Sequence, residues 1–128
     1  MAKPLHHPEP GDIALSAVLE ALSDPIPRVI VQRLAQNGER ACAAFRSVAS
    51  KTNLSYHLAR LRKAGLLRIR PEGTRRMLSL RSEDVEARFP GLLRAVLGSI
   101  RAEGRRARRG FRRGPATPRL RDQRPPRS

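Results

Sequence analysis

Aromatic side chains are scarce: three Phe, one Tyr and no Trp in 128 residues. A core must then be assembled from Leu, Val, Ile and Ala, which favours helices over a β-sandwich. The same poverty argues against stacking platforms for single-stranded nucleic acid. Cysteine occurs once, at Cys42. No disulfide can close within one chain, and a reducing cytoplasm is the expected compartment. No apolar run approaches the roughly 18 residues that a bilayer span requires. The opening MAKPLHHPEP has neither an apolar centre nor a cleavage signature, so export is not expected. Acidic residues are few as well. Eleven Asp and Glu face 27 Lys and Arg, a net charge of +16. Such a surplus repels basic partners and attracts polyanions.

The surplus is unevenly spread. Residues 1–100 carry 16 basic and 9 acidic side chains, whereas residues 101–128 carry 11 Arg and only Glu103 and Asp122. The second stretch is also rich in Gly and Pro, with few apolar groups to offset the entropy of ordering. Residues 102–128 are therefore expected to be a disordered, Arg-rich tail that either attracts phosphate without regard to sequence or merely solubilises. Residues 1–11, with three prolines by position 10 and the pair His6 and His7, are expected to be a flexible lead. One domain remains, 12–101, small enough to gain from burial against a second subunit.

Within it, Asp12 is placed to cap a first helix, about 12–22, with Leu15, Val18, Leu19 and Leu22 at helical spacing. Asp24 followed by Pro25 starts a second helix, which Asn37 and Gly38 stop. Pro27 removes an N–H that Asp24 could have capped and makes the first turn awkward. A short helix is expected over 41–47. Ser50 then caps a helix over about 51–64, closed by Gly65. Leu54, Leu58 and Leu61 share one face of it. Alternation in LLRIR and RRMLSL, with Pro71 and Gly73 between, predicts a β-hairpin. Ser82 opens a further helical stretch, broken at Pro90–Gly91, that ends on the stripe Leu93, Val96, Leu97 and Ile100. This order gives a mainly α fold with one β-hairpin, a winged helix-turn-helix dimerised through its first and last helices.

The segment SKTNLSYHLARLRKAGLL carries the most specific signal. Ser50, Thr52, Asn53 and Ser55 put small donors and acceptors at the front of a helix, where bases and phosphates can be reached. Lys51 and Arg60 add charge, and Tyr56 can donate to a phosphate or lie against a base edge. An ordinary amphipathic surface helix would show the same polarity, but charge, helix order and hairpin together favour double-stranded DNA. In the hairpin, Arg75 and Arg76 flank the turn and are expected to reach phosphates. The plainer alternative is a charged edge that discourages aggregation.

Residues 20–80 resemble the ArsR/SmtB family of bacterial winged-helix transcriptional regulators. The resemblance rests on EALSDPIPRVIVQRLA, SKTNLSYHLARLRKAGLLRIR and EGTRRMLSL. RSEDVEARFPGLLRAVL is similar to the ending of a branch of that family that binds no metal. The resemblance implies a homodimer that represses transcription from a near-palindromic operator, with Lys51, Thr52, Asn53, Ser55, Tyr56 and Arg60 at the recognition positions. It makes His57 an inward-leaning structural residue. Pro27 stands where that family usually has a basic residue.

Many members of that family sense metals, and this sequence lacks the means. A paired thiolate would need a second Cys beside Cys42, but position 44 is Ala. Residues 82–100 contain no His, and His6 and His7 on a lead make a poor closed site. No metal and no cofactor is expected. Cys42 is either a small buried apolar residue or a redox sensor whose pKa Arg40 and Arg46 lower and whose oxidation displaces the recognition helix. No nucleophile–base pattern or phosphate-binding glycine loop points to an enzyme. A basic RNA- or ribosome-associated protein, or a winged-helix adaptor for other proteins, are the alternatives to a DNA-binding regulator.

Overall fold

The computed structural model describes residues 5–112. Five α-helices and a three-stranded antiparallel sheet follow in the order α1 (Leu15–Ala21), α2 (Pro25–Asn37), β1 (Arg40–Ala41), a 3-10 turn (Cys42–Phe45), α3 (Lys51–Ala64), β2 (Leu67–Glu72), β3 (Arg75–Leu80), α4 (Ser82–Arg88) and α5 (Leu92–Arg112). This is a winged helix-turn-helix. Among the described residues, those up to Ala95 form one compact unit and those from Val96 a second.

Local signals set most boundaries. The Asp24 carboxylate accepts from the Ile26 N–H at 3.2 Å and starts α2. Pro27 costs that carboxylate a second donor but fills the core as a fully buried ring. Gly38, at φ 80°, ends the helix. Ser50 Oγ accepts from the Asn53 N–H at 3.1 Å and starts α3. Gly65, at φ 89°, ends it, its N–H and that of Leu66 returning to the Arg62 and Leu61 carbonyls. Leu54, Leu58 and Leu61 are buried on the expected face, against a core that includes Ile30, Val31, Phe45, Leu66, Leu67, Leu78 and Val85.

Four expectations need correction. Asp12 does not cap α1. It ends a 3-10 turn, Pro10–Asp12, and α1 begins only after Ala14, with no side-chain cap. The cause is Ile13, whose buried side chain packs over Gly65 while its carbonyl accepts from Arg88 Nε at 2.9 Å. The chain must finish that inward detour before a helix can start. The short helix over 41–47 contracts to the 3-10 turn, because Arg40 and Ala41 are drawn into the sheet opposite Leu78 and Met77. The hairpin is accordingly the larger part of a three-stranded sheet, ordered β1-β3-β2. Its loop is Gly73–Thr74 alone, with Gly73 at φ 65°, while Pro71 pairs with Arg76 inside β2. Proline is tolerated there because β2 is an edge strand.

The lead is also structured where it is described. Arg62 Nη1 donates to the His6 carbonyl, and His7 Nε2 accepts from the Ile69 N–H at 3.0 Å. An unpaired edge-strand donor thus finds its acceptor in the lead. At the other end α5 continues through Arg112, so the expected tail is helical from 102 to 112. Arg favours helix, and the three Gly at 98, 104 and 110 do not stop it. Residues 1–4 and 113–128 lie outside the described residues. Among those described, no helix is long and apolar enough to cross a membrane.

Candidate nucleic-acid interface

The front of α3 is polar and open. Ser50, Lys51, Thr52, Asn53, Ser55 and Tyr56 are all exposed, and every one precedes the helix's middle. The capping bond at Ser50 leaves the first N–H groups of α3 directed outward, where they favour an anion. Tyr56 is 55% exposed, unusual for so large an aromatic side chain. Its hydroxyl accepts from Arg60 Nη1 at 3.1 Å, one helical turn on, and the guanidinium carbon sits 5.5 Å from the ring centre. Arg60 Nη2 also lies 4.0 Å from Glu20 Oε1 of α1. The tyrosine and arginine are therefore presented together on the exposed side of α3.

The opposite face of the same helix anchors it. His57 is 7% exposed, its Nε2 3.9 Å from Asp24 Oδ2 at the start of α2 and its ring edge-on to Tyr56 at 5.0 Å. One carboxylate thus starts α2 and faces the histidine of α3, which ties the two helices together. His57 is the structural residue expected.

The wing closes the site on one side. A cleft of about 1050 Å³ lies between the 3-10 turn, the front of α3 and the tip of the hairpin. Arg46, Lys51, Ser55, Arg75 and Arg76 line it, and Cys42 forms part of its wall. Arg75 is held at 3.2 Å by Glu72 across the turn. Arg46, Lys51 and Arg76 have no carboxylate partner among the described residues. Positive charge this close and this poorly neutralised has no internal use. The other wing arginines are committed elsewhere. Arg70 is clamped by both oxygens of Glu39 at 3.1 and 3.2 Å, which raises its already high pKa, and Arg68 lies 3.9 Å from Asp84.

The structure therefore gathers Lys51, Ser55, Arg75 and Arg76 around one cleft, with Tyr56 and Arg60 further along α3. One contributor is not evident from the sequence: Arg46, in the chain only a neighbour of Cys42, lines the cleft. Among the described residues no group of three or more His, Cys, Asp or Glu could hold a metal ion.

A helix-turn-helix domain model matches residues 22–70, from the end of α1 into β2. No curated protein sequence matches the chain. A solved structure from Mycobacterium bovis, a fragment (1-100) described as a "possible transcriptional regulatory protein", is 33% identical, with 64% of this chain and 88% of that one covered and a TM-score of 0.51. The chain belongs to this helix-turn-helix family. In helix-turn-helix terms α2 is the supporting helix, α3 the recognition helix and β2–β3 the wing. The family match stops at Arg70, so the cleft residues Arg75 and Arg76 lie beyond it.

Proposed function

We propose that this protein is a sequence-specific, double-stranded-DNA-binding transcriptional regulator. It acts as a homodimeric repressor of the ArsR/SmtB type, without that family's metal site. The observation that carries the reading is the exposed row Lys51, Thr52, Asn53, Ser55 and Tyr56 at the front of a capped helix whose other face is fully anchored. Such a helix can enter a major groove about 12 Å wide without unfolding anything else. Asn53, Ser55 and Tyr56 meet base edges. Lys51, Arg60, Arg75 and Arg76 hold the flanking phosphates.

Dimerisation supports the reading from a second side. Leu15 and Leu19 of α1 are 45% and 49% exposed, an apolar strip that water disfavours. On α5, Leu93, Val96, Leu97 and Ile100 share one side of the helix. Two subunits joined through these helices place two recognition helices about one DNA turn, roughly 34 Å, apart. Repression is steric occlusion of a promoter in the cytoplasm. Cys42 is our candidate for the releasing signal, since a half-buried thiol on the cleft wall stands where oxidation would disturb the front of α3. A mass shift at Cys42 under peroxide that leaves DNA affinity unchanged removes it from that role.

The deciding experiment is selection of fragments bound by the full chain from its source genome. Enrichment of a short inverted repeat is the expected result. Uniform, weak recovery of all sequences overturns the reading and leaves an adaptor. Preferential retention of single-stranded RNA leaves an RNA-associated protein.

A further inference from the structure

The described part of the lead crosses the joint between recognition helix and wing. Leu5 lines a small cavity of about 110 Å³ together with Ser55, Leu58, Ala59, Ile69 and Leu78. The His6 carbonyl takes a bond from Arg62 of α3, and His7 Nε2 takes one from the backbone N–H of Ile69 on β2. Three successive residues thus fasten one short segment to two elements. With Nε2 accepting, the ring's one proton must sit on Nδ1, so the docked segment requires neutral histidine in a single tautomer.

We propose that residues 5–7 form a strap across α3 and β2 that protonation of His7 releases. Three observations support it. A proton on Nε2 turns the acceptor into a donor, so it would face the Ile69 N–H donor to donor. Cations from three places in the fold act on the ring: Arg62 on α3, Arg68 on β2 and Arg81 at the entry to α4. No carboxylate is among the charged groups that act on the ring, and Asp84, the acidic partner of two of these arginines, is engaged by Arg81 at 2.9 Å and Arg68 at 3.9 Å. Desolvation first, and these three guanidinium groups after it, lower the affinity of His7 for its proton below the ordinary histidine range.

The sign follows. Undocked, His7 takes up its proton near the usual 6.5. Docked, it does so only at lower pH. The strap is fully held above about pH 6.5, loosens as pH falls from there toward the docked value, and loses no more below it. This device is independent of what α3 binds, and its test involves no DNA.

The test is NMR on the full chain between pH 8 and pH 5. It follows the His7 ring signals and the exchange protection of the Ile69 amide, corrected for intrinsic exchange. Ile69 protection should fall about tenfold for each pH unit below about 6.5 and level off at the midpoint reported by the His7 ring. The Leu66 amide, bonded to the Leu61 carbonyl inside the same unit, should keep its protection throughout. His7→Gln should abolish the pH-dependent step, whether the Ile69 amide is then held at all pH values or at none. Unchanged Ile69 protection in the native chain overturns the proposal. So does an equal fall in the Gln variant, or a loss at Leu66 in parallel with Ile69.

Discussion

At the scale of single residues, Gly65 shows how one position ties the lead-in to the reading head. Its φ of 89° is a left-handed conformation, and a Cβ built there would stand 2.5 Å from Ile13 Cγ1. Ile13 is fully buried and has no room to move aside. Gly65→Ala therefore combines backbone strain with overpacking and should cost about 2–4 kcal/mol, read as a lower denaturant midpoint at unchanged m-value. A midpoint within experimental scatter of the native one would refute the packing of Ile13 on Gly65. The capping serine offers a milder case. Ser50→Ala removes the acceptor for the Asn53 N–H and should cost about 1 kcal/mol of stability.

At the scale of elements, recognition helix and wing should fail differently. Tyr56→Ala or Ser55→Ala should weaken binding to the operator by about 1–3 kcal/mol and leave binding to random DNA nearly untouched. Arg75→Ala and Arg76→Ala should weaken both alike, each lowering the salt slope by about one. Titrations on both DNAs at several salt concentrations separate the two patterns, and equal losses for Tyr56→Ala would remove its base-reading role. These elements were legible in the sequence because their signals are local. Asp24 with Pro25, Ser50 with Gly65, and the alternation around Gly73 each announce a boundary within a few residues. What escaped depends on distant partners. Arg40–Ala41 has no strand signature of its own and exists as β1 only because Leu78 and Met77 present an open edge. Asp12 has the chemistry of a cap, but the burial of Ile13 dictates where α1 starts. His7 looks like half of a histidine pair in a proline-rich lead, and its partner is 62 residues away. The exposed face of α3 followed from helical spacing, whereas the shared cleft with Arg46 did not, because it needs the sheet to bring hairpin tip and 3-10 turn together.

At the scale of the whole molecule, the proposed dimer through α1 and the proposed role of the C-terminal charge each make a prediction. Leu15→Glu with Leu19→Glu should halve the mass measured by sedimentation equilibrium and abolish operator binding, while the isolated unit keeps its circular dichroism. A native chain that sediments as a monomer at micromolar concentration would refute the paired arrangement. Removing 102–128 takes away ten Arg and should flatten the salt dependence of DNA binding with little change in site preference.

The short pairing of Arg40 and Ala41 with β3 has a mechanical meaning. Two residues ahead of the turn that introduces α3 are stitched to the returning strand of the hairpin. A hairpin without that pairing would have no bond to the turn; here β3 is bonded to the residues that lead directly into Cys42–Phe45, whose Phe45 is buried. The proposed groove reader and the proposed backbone gripper are thereby geared to one another, and a shift in one is passed to the other.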